Sequence, residues 1–213
     1  HMSGDETMIS AFREGQDIHA RTAAEVYGVP LDQVTHEMRS RSKAVNFGIV
    51  YGISDFTLAK NISVSRKEAR EFIDRYFERY PGVKKYMDEA VKTGKEKGYV
   101  ETLMGRRRYL PELSSASFNV RAFGERCAMN SPIQGTAADI IKIAMIRVHD
   151  RLIREHFRSR LILQVHDELL IETAEEEKEK VIALLEEEMQ KAADLKVELA
   201  VGTACGQDWY EAH

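Results

Sequence analysis

The chain has 213 residues, of which 43% are hydrophobic and 31% charged, with 13 Gly, 4 Pro and a formal net charge of -4. That balance excludes disordered, collagen-like and low-complexity classes, and the length lets one large domain or two small ones bury a sizeable core. No stretch approaches the roughly 20 apolar residues of a membrane-spanning helix, and the near-neutral charge gives no global sign of a nucleic-acid partner.

In chain order, Asp17 predicts an N-cap for a helix through His19, Thr22, Ala23, Ala24 and Val26, ended by Gly28-Val29-Pro30. Residues from Met38 to Gly52 read as a further helix. Ser65 and Glu68 form a capping box ahead of Ala69, Phe72, Ile73, Tyr76, Phe77 and Tyr80 at helical spacing, and Pro81 stops that run. Tyr86–Lys97 predicts another helix, and Gly105–Leu113 an Arg-rich connector. Phe123 to about Glu155 reads as one long helix, with Ser131-Pro132 either kinking it or marking its true start. The last third changes character. Leu161–Val165 and Leu169–Ile171 predict a hairpin around His166-Asp167-Glu168. An acidic amphipathic helix with Val181, Leu184, Leu185 and Met189 on one face follows, and Val197–Val201 predicts a final strand before Trp209. The fold class is α+β: mainly helical, with a small antiparallel sheet near the C-terminus.

Charge is distributed locally. Ala174–Gln190 holds seven Glu and two Lys, whereas Glu101–Asn130 holds five Arg and three Glu. Cys127 and Cys205 make neither a metal-ligand spacing nor a disulfide framework, which predicts a reducing, cytoplasmic compartment. The N-terminus lacks a secretory signal, His1-Met2 is either a cloning scar or native sequence, and the chain reads as a piece of something longer.

Three constellations carry chemistry. Arg39, Lys43, Phe47 and Tyr51 stand four apart, and since each such step advances about 40° on a helix, they share one stripe about 120° wide. Two cations at one end and two rings at the other suit a ligand with a polyphosphate and a stacking base, such as a nucleoside triphosphate. A surface helix with solvated cations and core aromatics has the same spacing. Asp167 and Glu168 at the hairpin tip could reach Mg²⁺, although acidic residues are also ordinary turn formers. Arg126, Asn130 and Gln134, again four apart and beside Gly135-Thr136-Ala137-Ala138, suit a minor-groove contact or a polar helix face. His19 and Arg106-Arg107-Arg108 complete the candidates. There is no phosphate loop, no G-x-G-x-x-G and no nucleophile elbow.

Taken in this order the segments resemble the family-A, polymerase I-like DNA polymerases. Arg39…Lys43…Phe47…Tyr51-Gly52 is similar to the motif on the fingers helix that closes over the incoming nucleotide. Gln164-Val-His-Asp-Glu-Leu169 is similar to the family's carboxylate hairpin, and Asn130–Ile140 to the palm helix that contacts primer and template. Asp17-Ile-His19 and Gly105–Pro111 also lie where the family pattern has them.

The resemblance implies a truncated polymerase domain: fingers over residues 1–125 and the C-terminal part of the palm over 126–213. It implies that His19, Arg39 and Lys43 hold the triphosphate of a deoxynucleoside triphosphate while Phe47 and Tyr51 flank the nascent pair and sugar. Asp167, Glu168 and Lys43 are the implied catalytic set, with Asp167 and Glu168 on Mg²⁺ in a two-metal site. Arg126, Asn130, Gln134 and His166 are the implied primer-template contacts, and no membrane is involved. The family's other metal-binding Asp belongs to a strand that would precede Ser3, and Asp5 does not replace it, so the fragment alone is expected to be inactive and to expose a sheet edge. Two other readings stay open: a non-catalytic nucleic-acid-binding module, and an unrelated Mg²⁺-dependent phosphoryl-transfer enzyme.

Overall fold

A computed structural model describes residues 1–212. The chain forms two compact units, His1–Ile133 and Gln134–His213. In the first, helices α1 (Glu6–Arg13), α2 (Ile18–Tyr27), α3 (His36–Val50), α4 (Asp55–Ile62), α5 (Arg66–Arg79) and α6 (Pro81–Lys97) precede a two-stranded ribbon, β1 (Tyr99–Glu101) and β2 (Arg107–Tyr109). Helix α7 (Phe118–Arg154) begins in the first unit and ends in the second, which adds β3 (Arg160–Val165), β4 (Glu168–Glu172) and α8 (Lys178–Gln190). The α+β class with small antiparallel sheets is the observed one.

Local capping sets most helix starts. Asp17 accepts from the His19 and Ala20 amides at 3.0 Å and begins α2, which Gly28 ends in the left-handed region at φ 64°. At the head of α5 the Ser65 hydroxyl accepts from the Glu68 amide (3.2 Å) and the Glu68 carboxylate from the Ser65 amide (2.8 Å), completing the expected box. Pro81 both stops α5 and opens α6 at its first position, where its missing N–H costs nothing, so α6 starts five residues before the expected Tyr86. Buried Asp5 caps α1 through the Met8 amide (2.9 Å) and also accepts from the Gly82 amide (2.8 Å), which anchors α6 to the N-terminus. Val45, Ile49, Leu58, Ile62, Phe72, Tyr76, Val83 and Met87 form the core between α3, α4, α5 and α6.

Three further expectations are corrected. Within the Arg-rich connector, Arg107–Tyr109 is a strand paired antiparallel with Tyr99–Glu101. The ribbon is held by Tyr99–Tyr109 ring contact (5.6 Å) and an Arg107–Glu101 ion pair (2.9 Å). Its strands are three residues long and the second is exposed throughout, which leaves too little alternation for sequence reasoning to read. Helix α7 starts at Phe118 and runs through Pro132, so Ser131-Pro132 is not its start. Proline withdraws one backbone donor there, while the Ser131 hydroxyl donates to the Cys127 carbonyl at 2.6 Å. Val197–Val201 is not a strand, because its backbone pairs with none of the described strands.

The second unit packs Ile141, Ala144, Val148 and Leu152 of α7 against Leu169 of β4 and Val181 and Leu184 of α8. The α8 face is the one its spacing predicts. In the hairpin, Leu161 pairs with Ile171 and Leu163 with Leu170, so Ile162 is an extra bulge residue, and Val165–Glu168 closes the ladder around a two-residue tip.

Candidate nucleotide and nucleic-acid site

Helix α3 places Arg39, Lys43 and Phe47 on one stripe, and Tyr51, at the helix C-cap, extends it because its amide still donates to the Phe47 carbonyl (2.9 Å). The rings of Phe47 and Tyr51 stack at 6.2 Å and 24°, both well exposed at 46% and 39%. They are therefore not the core residues that the alternative reading of this spacing requires. The Lys43 ammonium lies 5.9 Å from the Phe47 ring centre, and the centre of the His19 ring of α2 is also 5.9 Å from it. Thus the structure gathers His19, Arg39, Lys43, Phe47 and Tyr51 into one surface, with cations at one end and aromatic faces at the other.

Asp17 ties the two helices together. Besides capping α2, its second oxygen accepts from the Arg39 Nε. Partial burial pushes the Asp17 carboxyl upward, but the Arg39 bond and the Ala20 and His19 amides outweigh it and hold the group below its ordinary range. His19 shifts downward. Burial lowers it, the charges of Arg39 and Lys43 lower it further, and Asp17 opposes them. Sequence reasoning found Asp17 as a cap but not as the partner of Arg39, a pairing 22 residues apart that no local pattern encodes.

Sequence reasoning also missed Asn46. It is 6% exposed, its oxygen accepts from the Thr22 hydroxyl (3.0 Å), and its amide nitrogen lies 2.9 Å from His19 Nδ1. Asparagine within a helix reads as a weak helix former, and only its burial between α2 and α3 marks it.

Gly52 turns the chain out of α3 at φ 71°, and a Cβ there would stand 2.4 Å from Met129 Cε and 3.4 Å from Arg126 Cγ of α7. The glycine lets the aromatic end of the stripe meet the α7 surface that carries Arg126. Asn130, on the same helix, has a buried side-chain oxygen without a hydrogen-bond partner among the described residues. Gln134 is exposed on the portion of α7 that belongs to the second unit.

In that second unit, His166 and Asp167 form the exposed two-residue tip between β3 and β4, and Glu168 is the half-buried first residue of β4. His166 holds φ 51°, a conformation that costs a non-glycine residue about 1 kcal/mol or more. The Gln164 side chain braces the tip by donating to the His166 carbonyl at 2.8 Å. Among the described residues no three His, Cys, Asp or Glu side chains gather into a metal site. Mg²⁺, however, is commonly held by only one or two carboxylates, with phosphates and water completing its shell, and the adjacent Asp167 and Glu168 fit that requirement.

A model of DNA polymerase family A matches residues 1–211. The chain is 56% identical over 211 residues to DNA polymerase I of Caldicellulosiruptor bescii and 54% over 212 residues to that of Bacillus subtilis, alignments covering 99% and 100% of this chain. They cover 25% and 24% of those proteins, so the chain spans about a quarter of the length of these relatives. Its fold is similar to that of the POL domain of Pol1 from M. smegmatis in complex with DNA primer-template and dNTP. The TM-score is 0.94 at 44% identity, covering all of this chain and 37% of that one. No described helix is long and apolar enough to cross a membrane.

Proposed function

This chain belongs to DNA polymerase family A, and we propose that it supplies the nucleotide-binding surface and one carboxylate-bearing hairpin of a template-directed DNA polymerase. The observation that carries the proposal is the α2–α3 surface, where two cations and two stacked, exposed rings share one stripe of α3 and the His19 imidazole of α2 lies beside it. Residues 1–125 act as fingers and 126–213 as the C-terminal part of the palm, and the reaction takes place in the cytoplasm.

The residues divide the work by chemistry. Arg39 and Lys43 neutralise and orient the triphosphate of an incoming deoxynucleotide, and His19 adds a hydrogen-bond donor to it. Lys43 also stabilises charge that builds on the leaving phosphates during transfer. Phe47 and Tyr51 offer apolar faces to the base pair and sugar, so position is fixed without reading base identity. Arg126, Asn130, Gln134 and His166 bind the primer-template by hydrogen bonds and charge. Asp167 and Glu168 would hold Mg²⁺, which when bound supplies the Lewis acidity that activates the primer 3′ oxygen and neutralises pyrophosphate. The Gln164 bond to the His166 carbonyl braces the backbone of the turn that carries Asp167, which limits backbone reorganisation there.

The test is primer extension with Mg²⁺ and all four deoxynucleotides, comparing this chain with a longer form that includes its natural upstream sequence. Extension by the longer form, abolished by Asp167→Ala while primer-template binding persists, is the expected result, with the 213-residue chain alone inactive. Unimpaired extension by the Asp167→Ala form would leave a non-catalytic nucleic-acid-binding role for this hairpin.

A further inference from the structure

We propose that Asn46, set by Thr22, is a positioning residue that fixes His19 as the Nε2–H tautomer and so makes its ring a permanent donor to the nucleotide triphosphate. The inference rests on the nucleotide-binding reading above and deepens it.

The argument is one of donors and acceptors. An asparagine amide has one oxygen, which only accepts, and one nitrogen, which only donates. The structure sets the Asn46 oxygen at the Thr22 hydroxyl (3.0 Å) and the amide nitrogen at His19 Nδ1 (2.9 Å). A donor at that distance needs a lone pair on Nδ1, and the ring proton therefore sits on Nε2. A doubly protonated ring would set two donors against each other. Asn46 and Thr22 are both buried, at 6% and 5% exposure, so water cannot readily replace either contact. Burial of the ring and the neighbouring Arg39 and Lys43 also favour the neutral state, against Asp17. The ring edge away from Asn46 then presents N–H on the surface shared with those two cations. A donor held this way needs no proton uptake as pH changes around neutrality, unlike an unrestrained histidine.

Two variants reverse the chain of bonds. Asn46→Asp puts only acceptors opposite Nδ1 and selects the Nδ1–H or doubly protonated ring. Thr22→Val removes the hydroxyl that orients the amide while keeping the shape, so both amide orientations become available and the tautomers mix; it adds no charge that could itself repel a phosphate. Thr22→Ser restores the hydroxyl.

The measurement is long-range ¹H–¹⁵N correlation of the histidine rings in the 213-residue chain, with His19 assigned through His19→Gln, combined with titration by inorganic tripolyphosphate. The expected results are Nε2–H in the native chain and in Thr22→Ser, a mixture in Thr22→Val, and loss of Nε2–H as the sole form in Asn46→Asp. Tripolyphosphate affinity should fall about twofold in Thr22→Val, as only half the rings remain competent, and about tenfold or more in Asn46→Asp at a pH where its ring carries Nδ1–H alone. A native ring carrying Nδ1–H, or an unchanged tautomer in both variants, overturns the proposal. A tautomer switch with unchanged affinity in both variants overturns the donor's role at the phosphates. If His19→Gln and Lys43→Ala both leave tripolyphosphate binding intact, it is the nucleotide-site reading itself that fails.

Discussion

Replacing Gly52 by alanine tests whether the junction between the stripe and α7 is as close as the structure has it. Two costs arise. The first is conformational: at φ 71° an L-residue meets its own carbonyl, at about 1–2 kcal/mol. The second is contact, because the new methyl would lie 2.4 Å from Met129 Cε, and Met129 packs against the α3–α6 core. Methionine is flexible, so the side chain moves rather than the backbone, at about 0.5–1.5 kcal/mol for leaving its rotamer and losing contacts. The total is about 1.5–3.5 kcal/mol. Gly98→Ala is the control, since Gly98 sits at φ 77° with nothing within 4 Å of its would-be Cβ and should lose only the first term. Urea unfolding followed by far-ultraviolet circular dichroism measures both. Gly52→Ala in a Met129→Ala background should then cost no more than the control, because the contact is already gone. A Gly52→Ala variant no less stable than Gly98→Ala would refute the close approach.

Other expectations follow from packing, capping and charge. Leu184→Ala empties a site 2% exposed between α8 and α7 and should cost about 2–5 kcal/mol of unfolding free energy by the same assay. Ser65→Ala removes one arm of the α5 capping box and should cost about 1 kcal/mol, against no measurable change for a serine outside a cap. Lys191 first, then Arg151, hold the Glu187 carboxyl at about 2. A carboxyl lowered by folding stabilises above its unfolded range and loses that contribution as pH falls from about 5 toward 2. Urea midpoints should therefore drop less between pH 6 and pH 3 in Glu187→Gln than in the native chain, and equal drops would dismiss the ion-pair cluster.

Much of this protein is legible from local signals. The Asp17 cap and the Ser65–Glu68 box are read correctly because a cap is chosen within a few residues of the helix it starts. The stripe of Arg39, Lys43, Phe47 and Tyr51 follows from helical geometry alone, as does the buried face of α8. The hairpin around His166 and Asp167 is legible because two apolar runs flank a tip that only a turn can accommodate. Where local signals were weak the reading slipped, at the short exposed β1–β2 ribbon, at the start of α7, and at Val197–Val201, whose apolar run lacks the partner that a strand needs.

The candidate site divides in the same way. Residue types and spacing single out the cations, rings and carboxylates, since their chemistry is carried by the side chains themselves. Spacing leaves open whether Phe47 and Tyr51 are core or surface, because a helical stripe has the same period in either case. Their exposure depends on which faces of α3 the Val45–Ile49 side covers with α4 and α5. The sequence by itself determined the elements, their caps and the candidate chemistry, all set by interactions spanning a few residues. Only the tertiary structure decided that Asp17 pairs with Arg39, that Asn46 lies between Thr22 and His19, and that Gly52 meets Met129. These contacts join residues distant in the chain, and their energies depend on burial and approach that no single segment contains.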